Sequence, residues 1–212
     1  MEWIIIFTKN VKIKFNLSLF LLLFISLYSG FIKEYLSIFG VLLFHEFGHL
    51  LMIKLFKGKI NSFEISPIGC FIDYNNLGIN KIKRIIINSS GIICNIILCF
   101  VIKNDYLIRF NNYMLIFNLL SIYPLDGYRI VEEVLDCFYE KEYLNILMFW
   151  ISIVSSLTFF VLIFFIKCYG YLIILFYLMY RNINKYRCEK LKHKTNFYKN
   201  SILLNRSVSV RN

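Results

Sequence analysis

Apolar residues fall into long runs with few charges, broken by short charged stretches. Residues 15–32 carry no charge, and at ~1.5 Å per residue they are long enough to cross the ~30 Å hydrocarbon core of a bilayer. A signal peptide would look similar, but no A-x-A-like cleavage site follows and a second run starts at once, which predicts an uncleaved first helix. Lys33 and Glu34 mark a turn, and the second run spans 35–56. A third covers 85–102 and a fourth 106–123. Residues 143–180 hold one charge, Lys167, and are too long for one span of ~20 residues. A turn at 167–170 divides them into a fifth and a short sixth helix, with one long tilted helix as the alternative.

Two stretches follow other periods. Residues 11–15 alternate apolar and basic, as a strand with one wet face does. Residues 60–74 hold two strand-like halves split by Pro67 and Gly69, which predicts a hairpin at the membrane surface or, failing that, a plain loop. Residues 128–142 place Ile130, Val131, Val134, Leu135 and Phe138 on one helical face, with Glu132, Glu133, Asp136 and Glu140 elsewhere, as in a helix lying on the membrane. The expected fold is an all-α polytopic membrane protein with about six transmembrane helices and a small membrane-surface β element.

Composition supports this class. The chain of 212 residues is 58% hydrophobic, above the ~45–50% of soluble domains. Its mean hydropathy is +0.63. It lacks Ala and Gln and is rich in Ile, Asn, Lys, Phe and Tyr, a bias of AT-rich bacterial coding. The net charge of +11 is concentrated in residues 181–212, where Glu189 is the one acid among nine Lys/Arg. Such a tail could meet nucleic acid, but beside membrane spans it reads as the positive-inside signal with attraction to anionic lipid. Nucleic acid is therefore not an expected partner. The basic flanks before residue 15, at 54–84 and in the tail fall on one side if six spans leave both termini in the cytoplasm. The six cysteines form no C-x-x-C pair and read as reduced, structural residues.

The candidate chemistry lies in the second run. His45-Glu46-Phe47-Gly48-His49 reads H-E-x-x-H, so on a helix both histidines share a face and can share one metal ion. Glu46 stands beside them, where a carboxylate can take a proton from water. Catalytic zinc uses three protein ligands and keeps one position open. The remaining histidine, His193, is in the basic tail. Asp126 ends the fourth run between Pro124 and Gly127, and an ionisable residue at membrane depth is a functional candidate. It could instead cap the surface helix. His45 and His49 stand ~13–21 Å along a helix starting near residue 36, past mid-membrane and towards the face where the fourth run ends. Chance occurrence as a metal-free hydrogen-bonding cluster is the bland reading, and it leaves two histidines and a glutamate at high cost in lipid. A non-hydrolytic zinc sensor or transporter would need ligands but no Glu46.

These motifs, with Asn118 and the following Pro124-Leu125-Asp126-Gly127, and with Ser90-Gly91 and Asn95 in the third run, resemble the site-2 protease family of intramembrane zinc metalloproteases. The resemblance covers roughly residues 10–180 and is greatest to the stage IV sporulation protein FB branch. It implies a metalloendopeptidase domain over 1–180 and a basic cytoplasmic tail over 181–212. It implies zinc (Zn2+) held by His45, His49 and Asp126, with Glu46 as general base and Asn118 positioning substrate or oxyanion. Residues 65–73 match the family's membrane-associated strand and loop, a platform for substrate. The implied substrate is a membrane-associated protein, for this branch the pro-sequence of a sporulation sigma factor. Membrane-protein inhibitors are implied partners, and a homo-oligomer is open. The implied location is a bacterial cell membrane, for this branch the outer forespore membrane. The chain has Ile92 and Ser121 where the family often has Pro, and Tyr128 where it often has a second Gly. No PDZ domain is present, and residues 181–212 stand where the branch often carries a sensing domain of the cystathionine-β-synthase type.

Overall fold

Alternation at the start of the chain and strand-like composition in the middle meet in one sheet. The computed structural model describes residues 3–7, 12–66, 69–75, 78–166 and 170–209. Strands β1 (Trp3–Phe7), β2 (Lys12–Asn16), β3 (Lys59–Ser66) and β4 (Gly69–Asn75) lie in that order. β1 pairs antiparallel with β2, and β3 with β4. β2 runs parallel to β3, in a register that sets Lys14 opposite Glu64. Parallel neighbours need a long crossover, and two helices supply it here. The hairpin expected at 60–74 is thus formed, with its central Pro67 outside the described residues. The strand expected at 11–15 is β2, with Val11 outside the described residues. β1 was not expected, because residues 3–7 are too uniformly apolar to show a period of two.

The chain forms two compact units, residues 1–119 and 120–212. In the first, helices α1 (Leu17–Tyr28), α2 (Ile32–Leu55), α3 (Lys81–Val101) and α4 (Asp105–Leu119) follow the sheet or lead from it. The amide oxygens of Asn16 and Asn80 cap α1 and α3 by accepting from Ser18 N and Lys83 N, both at 3.1 Å. α1 is shorter than its apolar run, about 18 Å for its twelve residues. The turn expected at Lys33 and Glu34 falls earlier, at residues 29–31, and Glu34 sits in the first turn of α2, where its charge favours the helix N-terminus. Ile53, Ile72, Ile79 and Ile87 form a buried core joining the end of α2, the sheet and the start of α3.

In the second unit, α5 (Asp126–Leu135) and α6 (Lys141–Ile166) pack around Tyr128, Leu144 and Met148, and α7 (Tyr171–Ser209) packs on α6, where Tyr186 stacks on Phe149 with ring centroids 4.4 Å apart. The surface helix expected at 128–142 is therefore shorter and begins earlier. The fourth run likewise ends its helix at Leu119, leaving 120–125 irregular. Residues 143–180 do form two helices, with Lys167, Cys168 and Tyr169 of the expected turn outside the described residues. The last helix is not short: its apolar start runs on into the basic stretch as one element.

Polarity is inverted relative to a water-soluble protein. Asn95, Asn111 and Ser152 are 0% exposed, whereas Phe100 is 86% and Phe165 82% exposed. Large apolar side chains facing out, over helices with buried amides and hydroxyls, suit lipid rather than water. Among the described residues three helices, Ile32–Leu55, Lys81–Val101 and Lys141–Phe165, are long and apolar enough to cross a membrane.

Candidate metal centre

His45 and His49 project from one face of α2 and are buried, 3% and 8% exposed. Their Nε2 atoms are 3.3 Å apart, and the rings meet edge to face. The Ile87 carbonyl lies 2.7 Å from His49 Nδ1. A carbonyl only accepts, so Nδ1 carries the proton and Nε2 keeps its lone pair. Ser90 Oγ donates to the same carbonyl at 2.6 Å. This pairing orients His49 as a carbonyl partner orients a metal-bound imidazole.

Two glycines make room for the pair. A Cβ at Gly48 would stand 2.6 Å from Cys94 Sγ and 2.7 Å from the Ser90 carbonyl, so its absence lets α2 and α3 touch. A Cβ at Gly91 would strike His49 Nε2 and lie 2.6 Å from His45 Nε2. The space before both nitrogens is therefore reserved by the missing side chain of α3. Two nitrogens bound at ~2.0–2.1 Å to one tetrahedral zinc stand ~3.3–3.4 Å apart. The observed separation of 3.3 Å and the cradle at Gly91 fit such an ion.

Glu46 follows His45 on α2 and is half-buried. Asn118 is half-buried in the last turn of α4. One turn pair earlier on that helix, Asn111 Nδ2 donates to the Asn95 carbonyl at 2.9 Å and ties α4 to α3. Asp126 belongs to the second unit, where it is the first residue of α5 and is buried. The capping position is Leu125, with no side-chain capping bond, so Asp126 is not the cap it could have been. The preceding Tyr123–Pro124 peptide bond is cis. Leu125 N donates to the Ile122 carbonyl at 2.9 Å, and Ser152 Oγ of α6 donates to the Ser121 carbonyl at 2.8 Å. Burial, then the adjacent Glu132 carboxylate, push the Tyr128 phenol above the usual tyrosine range.

Of the residues expected from the sequence, His45 and His49 come together as a pair with Glu46 beside them on α2. His193 lies on α7. Sequence reasoning missed the Ile87 carbonyl, because a backbone acceptor leaves no mark on residue type. It also missed Asn111, whose signal was an Asn pair inside an apolar run. Gly91 enters the sequence reading as part of the shared Ser90-Gly91 motif, not as the floor of the histidine pair.

No family model and no curated protein matches the chain. Among solved structures it is similar to the "Site-2 Protease from Methanocaldococcus jannaschii", with a TM-score of 0.57 and 19% identity over 86% of this chain and 94% of that one. The chain thus shares the fold of a site-2 protease.

Proposed function

We propose that this protein is an intramembrane zinc metalloprotease that cuts a membrane-associated protein near the cytoplasmic face, with both of its own termini on that side. The observation that carries the reading is the histidine pair, with Nε2 atoms at a tetrahedral ligand separation before the space left by Gly91. The fold shared with a site-2 protease and the buried carboxylate in an Asp126-Gly127 sequence support it. In this reading His45, His49 and Asp126 hold the metal. Zinc, when bound, supplies Lewis acidity to the scissile carbonyl and lowers the pKa of water. His49 is held in its ligating tautomer by the Ile87 carbonyl. Glu46 takes the proton from the attacking water and returns it to the leaving amine. Asn118 orients the substrate carbonyl. The substrate is the pro-sequence of a sporulation sigma factor, with membrane-protein inhibitors as regulators, a reading supported by the spacing from Asn118 to Pro124-Leu125-Asp126-Gly127.

Glu46→Gln separates catalysis from metal binding. The variant is expected to keep zinc, measured by metal analysis of the purified protein, and to lose cleavage of a co-expressed pro-sigma factor by at least about a hundredfold. Cleavage at the wild-type rate would refute a proteolytic role for the site. A wild type that leaves the pro-sigma factor intact while cutting other membrane proteins would redirect the substrate assignment.

A further inference from the structure

We infer that Lys185 is a positioning residue for Asp126, bracing the turn that carries this carboxylate on both of its flanks. The inference rests on Asp126 being a metal ligand. Lys185 projects from α7. Its Nζ lies 4.9 Å from the ring centroid of Tyr123, three residues before Asp126. It also lies 4.2 Å from the ring centroid of Tyr128, two residues after it. The same ammonium donates to Glu132 Oε1 at 2.6 Å, further along α5. The two rings stand edge to face, 5.6 Å apart at 78°, and form a corner around the cation. One charge therefore touches three side chains that bracket residues 124–127.

Local backbone structure fills that role only in part. Leu125 offers no side-chain cap to α5, and Gly127 follows Asp126 directly. Longer-range contacts add to the local turn bond from Leu125 N to the Ile122 carbonyl. Ser152 holds the upstream end through the Ser121 carbonyl. Lys185 holds both sides at once. Its pairing with Glu132 is shielded, with side chains 20% and 30% exposed, whereas Lys192 in the neighbouring Lys192–Glu189 pair is 70% exposed. Cations over aromatic rings gain as water is withdrawn, and so do ion pairs. Arg181 also approaches the Tyr123 ring, at 5.7 Å, so α7 presents two cations to the turn. The helix that carries the basic stretch is thus mechanically linked to the segment bearing Asp126.

Zinc itself is the probe. The full-length protein in detergent is titrated with zinc against a chromogenic chelator, at a temperature well below the melting point of the metal-free form. Lys185→Met, which removes the charge and keeps the reach, is expected to raise the zinc dissociation constant about tenfold, the lower end of the range for groups that orient metal ligands. Lys185→Arg keeps the cation and is expected to restore most of the affinity. Asp126→Asn is expected to lose zinc to the chelator. If Lys185→Met does not fold, Glu132→Gln is expected to weaken zinc in the same direction. Wild-type affinity in Lys185→Met or Glu132→Gln, with zinc lost in Asp126→Asn, overturns the role of Lys185 and leaves the metal reading standing. An equal loss in Lys185→Arg and Lys185→Met also overturns it, because charge would then not be the cause. Zinc held by Asp126→Asn as tightly as by wild type removes Asp126 from the ligand set, and the inference with it.

Discussion

Gly91 shows how much a single missing atom can govern. Its hydrogen faces both histidine Nε2 atoms, and the smallest side chain would collide with them. Ala is the better helix former by roughly 0.8–1 kcal/mol, so propensity alone would favour it. The space is worth more to the site than that gain. Gly91→Ala is expected to keep the helical content of the protein but abolish stoichiometric zinc binding, read by metal analysis and circular dichroism of the same preparation. Zinc bound at one equivalent in that variant would show that the cradle is dispensable. The H-E-x-x-H spacing was legible in the sequence because a helix converts a four-residue step into one face. The acceptor that orients His49 was not, because it is the main-chain carbonyl of Ile87.

Elements meet through small and polar residues, since apolar side chains gain little from leaving lipid for a helix interface. α2 and α3 touch where Gly48 faces Ser90 and Cys94. Gly48→Ala adds a methyl 2.6 Å from Cys94 Sγ and 2.7 Å from a backbone oxygen that cannot rotate away. Overpacking of this kind costs about 1–3 kcal/mol, more than the helix propensity gained. The variant is expected to melt at a lower temperature in detergent, and an unchanged melting temperature would mean the helices separate freely. The helix runs themselves could be read from hydropathy. Their ends could not, to within a turn. α1 and α4 stop short of their apolar runs, because a run of Leu, Phe and Ile marks what lipid tolerates rather than where the backbone leaves the helix. The sheet was half visible, its outer strand β1 hidden by an unbroken apolar composition.

At the scale of the whole molecule, the inverted distribution of polarity makes a claim about solvent. Val154, near the middle of α6, is 58% exposed. On a water-facing surface a substitution there would change stability by no more than about 0.5 kcal/mol. In lipid, an arginine at a helix centre costs roughly 2.5–3.5 kcal/mol on insertion scales. Val154→Arg is therefore expected to deplete the protein from the membrane fraction, measured by quantitative blotting against wild type. Accumulation at the wild-type level would place that face against water or against another protein.

From residue order alone came the membrane class, the succession of apolar helices, the hairpin and the candidate metal ligands. Each is written in spacing or hydropathy, which are local properties of the chain. The tautomer of His49, the cradle at Gly91 and the brace of Lys185 on Tyr123, Tyr128 and Glu132 were not written there. They join positions far apart in sequence, such as Lys185 and Glu132, through distances of a few ångströms. Contacts of that kind exist once the helices have packed, and residue order does not encode them as any local pattern.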